Sequence, residues 1–248
     1  MPNCHPHQYL FTMPSVDWLQ PFRSIDRATV MQVDLSPHTE HEQSALTWLN
    51  AAEMSRWQGY LHLGAQRGFS LCRAALRSIL CEYLACQNED LTFAAGLHGK
   101  PYVKVGGVEA TVNFSVCHSG EYGLLAFSAA GKLGIDVETY AMRRNINQLS
   151  KSPKIFAAHE REALAQVDGD NKVRLFTRLW TSKEAIAKAV GIGVGIGLAS
   201  LAVPPALLCG ATSSFIYQSA VTCESAIKLR VDNIGNADFA AAIAQEIT

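Results

Sequence analysis

The chain has 248 residues, of which 48% are hydrophobic and 17% charged, with a formal net charge of −1. This length is enough to bury a core in one large or two ordinary domains. The composition is that of a globular protein and excludes an intrinsically disordered one. A net charge near zero provides no field to attract nucleic acid or an anionic membrane, so we expect neither partner.

The first half of the sequence combines helical patterns with short strand patterns. Apolar residues at i, i+4 spacing (Leu71, Ala75, Ile79 and Tyr83) mark the stronger of two helices. The helices are predicted at residues 40–57 and 64–85. Strands, separated by glycine and proline, are predicted at residues 28–36, 91–96, 100–107, 110–116, 122–131 and 132–138.

The second half repeats this order. Helices are predicted at residues 157–167 and 171–190, and strands at 198–203, 213–221 and 226–232, with no type assigned to 238–246. Helices and short strands that alternate twice predict an α+β chain of two similar halves, with a seam near residues 129–132.

Seven cysteines are spread along the chain without a CxxC pair. Their odd number favours free thiols in a reducing compartment. The start has no basic segment followed by an apolar run, and no apolar stretch approaches about 18 residues. We therefore expect a cytoplasmic protein without a membrane segment. Cys4, His5 and His7 allow two interpretations, a metal cluster or a frayed terminus.

The segment GIDVE (134–138) carries two acids within a strand pattern. Residues at i and i+2 of a strand point to one face, so Asp136 and Glu138 lie about 6–7 Å apart at Cβ. Like charges at this spacing oppose each other unless water, a base or a cation lies between them. The pattern alone leaves a solvated strand face and half of a metal site as alternatives.

The helical segment WTSKEAIAK (180–188) places Glu184 and Lys188 one turn apart, nearly opposite an apolar stripe. Periodicity alone favours an exposed ion pair worth a few tenths of a kcal/mol. Trp180, one turn before Glu184, indicates instead that this second face is covered. The glycines of 191–197 follow a helix, which favours a C-cap and turn over a dinucleotide-binding loop.

The segment NFSVCHSG (113–120) breaks from a strand pattern into Cys117, His118 and small residues. The neighbouring thiol and imidazole suggest a thiol hydrolase, but adjacent residues of a strand point to opposite faces. A His at a small-residue turn is also a plausible anion contact, and a packed or solvated His is the structural alternative.

Five segments in the same order and with compatible gaps resemble one family, the Sfp-type 4′-phosphopantetheinyl transferases. They are RAALRSIL (73–80), GKP (99–101), NFSVCHSG, GIDVE and WTSKEAIAK. The resemblance covers about residues 50–197 and is thin outside that range. It implies a pseudo-dimeric α+β fold in which each half is a small antiparallel sheet packed with helices. Residues 1–131 then form the N-terminal half with coenzyme A nucleotide contacts, and residues 132–248 the C-terminal half with metal ligands and catalytic helix.

The resemblance also implies an activity. The chain would transfer the 4′-phosphopantetheine arm of coenzyme A, its co-substrate, to a serine of an acyl or peptidyl carrier protein and release 3′,5′-ADP. The cofactor would be Mg²⁺, with Mn²⁺ as a substitute, and the protein a monomer that serves fatty acid, polyketide or nonribosomal peptide synthesis. A divalent cation suits this chemistry because it neutralises charge on the diphosphate.

Site residues follow from the resemblance position by position. The metal ligands would be Asp136, Glu138 and Glu184. The catalytic residues would be Glu160 as general base, Glu184 and Lys188. The contacts to coenzyme A would be Arg56, Arg73, Lys100, Cys117, His118, Lys183 and Lys188.

Two departures from the family pattern leave other functions open. Cys117 stands where members usually have serine, and the segment GYLHLGAQRGF (59–69) offers only Arg67 and His62 as basic residues. One alternative is therefore a module that binds carrier proteins with weak or no transfer. Another is a hydrolase that uses the Cys117 thiol.

Overall fold

The structure, a computed structural model, describes residues 16–96, 99–141, 145–191, 197–219 and 227–247. Its internal contacts group the described residues up to Gly96 with Pro101–Ala130 in one unit, and Lys100 with Gly131 onward in a second. Lys100 thus joins the second unit, although we placed it in the first half. The Cys4, His5 and His7 cluster and residues 192–196 lie outside the described ranges.

The first unit contains two antiparallel sheets and a long helix. Its helices are α1 (Thr39–Leu46), α2 (Ala51–Gln58) and α3 (Leu63–Tyr83). Its strands are β1 (Leu19–Ile25), β2 (Ala28–Asp34), β3 (Leu91–Ala95), β4 (Pro101–Val105), β5 (Val108–Glu109), β6 (Asn113–Ser119) and β7 (Tyr122–Ser128). The sheets have the orders β1-β2-β7-β6 and β3-β4-β5. Leu71, Ala75 and Ile79 of α3 are buried in one core cluster with Met31, so the predicted stripe does face the core.

The single helix predicted at residues 40–57 is wrong, because Asn50 starts a new helix there. Its Oδ1 accepts from the Glu53 backbone N–H at 2.9 Å, and the Glu53 carboxylate accepts from the Asn50 N–H at 3.1 Å. This reciprocal capping box satisfies two backbone donors that a helix start leaves without partners. It separates α1 from α2 and fixes where the Glu53 side chain lies.

Helix α3 ends in a Schellman motif. The Cys86 N–H donates to the Cys81 carbonyl at 3.0 Å, and the Ala85 N–H donates to the Glu82 carbonyl at 3.3 Å. Ala85 has φ 50°, the left-handed conformation that glycine usually supplies at this position. The motif brings Cys81 and Cys86 together across the helix end.

We expect Ala85→Gly to raise the free energy of unfolding by about 1 kcal/mol, because glycine adopts a left-handed φ without the steric cost of a Cβ. Urea unfolding of both proteins measures the difference. Ala95→Gly, in β3, is the matched control and should lower stability, since glycine weakens a strand. A loss of stability in Ala85→Gly would contradict this account of the cap.

The second unit is one antiparallel sheet with helices packed against it. Its strands are β8 (Leu133–Thr139), β9 (Ser214–Ser219), β10 (Ile227–Asn233) and β11 (Phe239–Glu246), in the order β8-β11-β10-β9. Its helices are α4 (Ile146–Leu149), α5 (Ala158–Ala165), α6 (Gly169–Val190) and α7 (Pro205–Leu208). The strand predicted at 198–203 is wrong, since Leu198–Ser200 is a single 3-10 turn. The predicted α+β class with helices packed on antiparallel sheets is confirmed.

Helix α6 lies directly on β8, and Gly134 permits this close approach. A Cβ built on Gly134 would lie 2.1 Å from the Ala185 carbonyl oxygen and 2.4 Å from the Ala189 nitrogen. Both are backbone atoms, so any larger residue would push α6 away from the strand. The contact sets the distance at which side chains of α6 meet those of β8.

Candidate active site

Asp136 projects from β8 into a nearly water-free position, with only 6% of the residue exposed. Its Oδ1 accepts a hydrogen bond from Lys188 Nζ at 2.7 Å. Its Oδ2 is also buried and has no hydrogen-bond partner among the described residues. A buried carboxylate oxygen without a donor is costly unless something else binds it. This oxygen is therefore a candidate ligand atom.

Glu184 approaches Asp136 from α6. Burial raises the pKa of Glu184, and the Asp136 charge raises it further, while Lys188 opposes both. Burial likewise raises the pKa of Asp136 against the opposing effect of Lys188. Burial disfavours ionisation of both carboxylates, and the Asp136 charge adds to the effect at Glu184, so a cation would stabilise the arrangement.

Lys188 supplies a positive charge beside the Asp136 carboxylate. It lies one turn beyond Glu184, and its Nζ donates to the Ile135 carbonyl at 3.1 Å as well as to Asp136. Its side chain is 32% exposed, so part of it is open to solvent. The periodicity-based view of Glu184 and Lys188 as an exposed surface pair is wrong, because both residues are half-buried.

Trp180 explains why this face of α6 is covered. Its ring stacks on Phe176 with centroids 6.1 Å apart, and it packs against two core clusters of the second unit. The face opposite the apolar stripe is therefore covered by protein, as the aromatic side chain indicated.

Glu138 lies two residues beyond Asp136 on β8, where it is half-buried on the same side of the strand. Across the described ranges, no three His, Cys, Asp or Glu side chains converge closely enough to hold a metal ion. Two of the expected ligands, Asp136 and Glu184, are thus neighbours, and Glu138 as the third stays a prediction. The orphan Oδ2 and the two raised carboxylate pKa values fit a small divalent cation of the kind that is bound through one or two protein carboxylates and keeps other oxygens as ligands.

Glu160 and Lys183 form a buried ion pair in which both side chains are 0% exposed, with Nζ 2.9 Å from Oε2. Glu160 also accepts from the backbone N–H groups of Ala157 and Val203, each at 2.7 Å. Lys183 also donates to the carbonyls of Leu198 and Leu201. With every polar atom occupied and no surface exposed, this geometry favours a structural role over the predicted general base and coenzyme A contact.

Lys100 lies at the end of α6 and not at an open surface. Its Nζ donates to the Leu133 carbonyl at 3.0 Å and to the Ala189 carbonyl at 3.5 Å. Burial lowers the pKa of Lys100 to about 8; Lys132 lowers it further and Glu246 opposes. Half the population of this side chain would thus lose its charge just above neutral pH.

This shift predicts a distinct pH dependence of stability. The pKa of Lys100 is about 8 when folded against an ordinary 10.5, so between these values the unfolded chain binds more protons. The contribution of Lys100 to stability therefore rises with pH across that window. Urea unfolding at pH 8 and pH 10 should show a smaller rise for Lys100→Met than for the wild type. Equal slopes would contradict the shift, and the exposed Lys151→Met serves as control.

In the first unit, Arg73 and Arg56 surround the ring of Phe69. Their guanidinium carbons lie 5.7 and 5.1 Å from its centroid, and Arg73 also lies 4.1 Å from the centre of the Phe93 ring. Arg56 is exposed, whereas Arg73 is largely buried and lies 3.5 Å from Glu53. Arg56 is thus the more accessible of the two predicted anion contacts.

Arg77, a third arginine that lies close to these two, was not identified from the sequence. Arg77 is only 1% exposed, and it donates to Glu53 at 2.8 Å and to the Asn88 side chain at 2.8 Å. Two arginines therefore share one buried carboxylate, which leaves excess positive charge there. The sequence signal that could have located this charge cluster is the capping box at Asn50, because it fixes the position of the Glu53 carboxylate on α2.

Cys117 and His118 alternate across β6, as expected of neighbours in a strand. Cys117 is buried, and its sulfur lies 3.8 Å from the Leu124 carbonyl, whereas His118 is exposed. A Cβ on Gly68 would lie 3.1 Å from His118 Nδ1, so the missing side chain makes room for the imidazole on α3. A buried thiol facing away from the neighbouring imidazole does not form a nucleophile–base pair, which removes the support for a thiol hydrolase.

Among the helices that the structure describes, none has the length and apolar character required to cross a bilayer.

Comparison with known proteins identifies similar chains. Residues 132–244 match a family model described as the 4′-phosphopantetheinyl transferase superfamily, and residues 34–130 match one described as 4′-phosphopantetheinyl transferase, N-terminal. Together these matches extend well beyond the 50–197 stretch in which the sequence motifs occur.

Two curated relatives illustrate the similarity. One is slr0495 of Synechocystis sp., which is provisionally named a 4′-phosphopantetheinyl transferase. It is 35% identical to this chain over 58% of this chain and 57% of its own length. The 4′-phosphopantetheinyl transferase HetI of Nostoc sp. is 28% identical over 67% of this chain and 69% of its own length. The aligned part therefore covers less than two thirds of the first relative.

Proposed function

We propose that this chain, which belongs to the 4′-phosphopantetheinyl transferase superfamily, transfers the 4′-phosphopantetheine arm of coenzyme A to a serine of an acyl or peptidyl carrier protein. The second product is 3′,5′-ADP. The observation that carries the proposal is the pairing of Asp136 and Glu184 beside Lys188, with one Asp136 oxygen lacking a donor. A monomeric, cytoplasmic enzyme is part of the same proposal.

Asp136 and Glu184 would hold a divalent cation, Mg²⁺ or Mn²⁺, and Glu138 is proposed as its third protein ligand. Bound there, the cation would neutralise the diphosphate of coenzyme A and favour attack at phosphorus. Gly134 and the contact between α6 and β8 hold the two carboxylates in fixed relation, which limits reorganisation during the reaction.

Lys188 is proposed to hold charge at the reacting phosphate. Its ammonium bonds Asp136 and its side chain is partly exposed, which supports an interaction with an anionic group beside the carboxylates. A lysine there acts as a point charge on phosphate oxygens. Because Glu160 has no exposed oxygen, we propose no role for it in taking the serine proton.

Contacts to the rest of coenzyme A are proposed for exposed basic groups, namely Arg56 and His118. Arg73 would contribute charge from below the surface, and Lys100 and Cys117 would act through the backbone that they hold in place. Lys183 is omitted from this set because its ammonium is fully buried.

A mass-spectrometric transfer assay tests the proposal. The chain is incubated with coenzyme A, Mg²⁺ and a panel of apo-carrier proteins, and we expect a mass gain of one phosphopantetheine arm on at least one carrier. A carrier whose acceptor serine is replaced by alanine is the control and should gain no mass. No gain on any carrier, with the chain shown to be folded, would contradict transferase activity and favour a module that only binds carriers.

A further inference from the structure

The Schellman motif at the end of α3 places two cysteines at its paired positions. Cys81 is the third residue from the helix end, Cys86 lies two residues past the cap, and the Cys86 N–H bonds the Cys81 carbonyl at 3.0 Å. In this motif a contact between the side chains at these two positions is frequent. The second hydrogen bond, from Ala85 to Glu82, and the left-handed Ala85 complete the motif and hold the contact.

The two thiols lie within interaction range of each other, since the neighbouring Cys86 raises the pKa of Cys81. Both cysteines are half-buried and pack against the same core cluster, so each keeps some access to solvent. Disulfides require Cα atoms about 4.4–6.8 Å apart and Cβ atoms that face each other. The hydrogen bond from the Cys86 N–H to the Cys81 carbonyl brings the two backbones together at the helix end.

No other pair of described cysteines has this arrangement. Cys72 and Cys117 are buried in the core, and Cys209 is exposed in another part of the chain. The five described cysteines are therefore expected to differ strongly in reactivity.

We propose that Cys81 and Cys86 form a reactive dithiol that low-molecular-weight disulfides, such as glutathione disulfide, convert to an intramolecular disulfide. The Cys86 thiolate attacks one sulfur of glutathione disulfide, forms a mixed disulfide and releases one glutathione thiolate. The Cys81 sulfur then attacks the Cys86 sulfur, loses its proton to water and releases the second glutathione. The chain loses two electrons and two protons, and one glutathione disulfide is reduced to two glutathione molecules.

The environment assigns the order of attack. Burial raises the pKa of Cys81 to about 11, and the neighbouring Cys86 raises it further. A thiol that rarely ionises attacks slowly, so we assign the first attack to Cys86, which lies past the helix end. Cys81 needs only to attack a sulfur already in contact with it, and proximity compensates for its low thiolate fraction.

Peptide mapping tests the proposal with the full chain. The reduced protein is treated with glutathione disulfide, quenched in acid, alkylated and digested with trypsin. The peptide of residues 78–104 contains Cys81 and Cys86 and no other cysteine. We expect this peptide to lose two hydrogens and resist alkylation, while Cys209 gains a glutathione and shows that the reagent is active. Two alkylated thiols in this peptide, with Cys209 modified, would overturn the proposal.

Two single substitutions separate the roles. Cys81→Ser should accumulate glutathione at Cys86, because the resolving thiol is missing. Cys86→Ser should leave Cys81 alkylated and free of glutathione. A stable glutathione adduct on Cys86 of the wild type would show that the thiols do not close and would also overturn the proposal. Transferase activity does not enter this test, so the proposed function and the dithiol stand or fall separately.

Discussion

Asp136→Asn is expected to lower the kcat/KM of phosphopantetheine transfer by about 10²–10³-fold, the usual loss when one preorganised electrostatic group is removed from a reaction centre. Asparagine keeps the shape of the side chain but removes its charge and offers a single oxygen. The buried Oδ2 that lacks a partner would be replaced or turned away from any cation. Initial rates with a carrier protein from the panel measure the loss.

A second measurement separates loss of the cation from a folding defect. Mg²⁺ at 100 times its Kd should raise the free energy of unfolding of the wild type by about 2.7 kcal/mol. Asp136→Asn should lose this increment, whereas Glu162→Gln, a change at an exposed acid on α5, should keep both the increment and the activity. An Asp136→Asn protein with normal Mg²⁺ stabilisation would remove Asp136 from the ligand set.

Glu160→Gln is expected to destabilise the chain by about 3–5 kcal/mol, because it leaves the Lys183 ammonium buried without its counter-charge. The glutamine has one acceptor oxygen where the carboxylate serves Lys183, Ala157 and Val203 with two. Urea unfolding gives the loss, and kcat measured per folded molecule should stay near the wild-type value.

The opposite result would restore the general-base role. If Glu160→Gln kept its stability and lost its activity, Glu160 would act in catalysis despite its burial. The double variant Glu160→Gln/Lys183→Met is the matched control. It removes both charges, so it should be less destabilised than the sum of the single variants.

Local signals in the sequence predicted the strand that carries Asp136 and the helix that faces it, but not the state of their side chains. The alternation of GIDVE placed Asp136 and Glu138 on one face, and the α6 periodicity placed Ile186 in the core. Whether Glu184 faces water depends on β8, because this strand packs against α6 in the folded chain. The contact joins residues far apart in sequence, so the periodicity of α6 alone does not reveal it.

Other features of the fold were not predicted from the sequence, for identifiable physical reasons. The break at Asn50 had a local signal, an Asn followed three residues later by Glu53, which a longer helical pattern obscured. The alanine-rich segment 238–246, to which we assigned no type, forms β11. Alanine favours a helix by propensity, but the segment is buried between β8 and β10, where tertiary packing decides. The burial of Glu160 rests on Val203, 43 residues away, and no local pattern indicates that partner.

The close approach at Gly134 has a consequence for recombining this chain with its relatives. Gly134 and the backbone of Ala185 and Ala189 are in close contact, which only a glycine at 134 permits, although the two segments are about fifty residues apart in sequence. A chimaera with a crossover between β8 and α6 would join surfaces shaped in different parents. Crossover points should therefore fall before Gly131 or after Val190, so that strand and helix are inherited together.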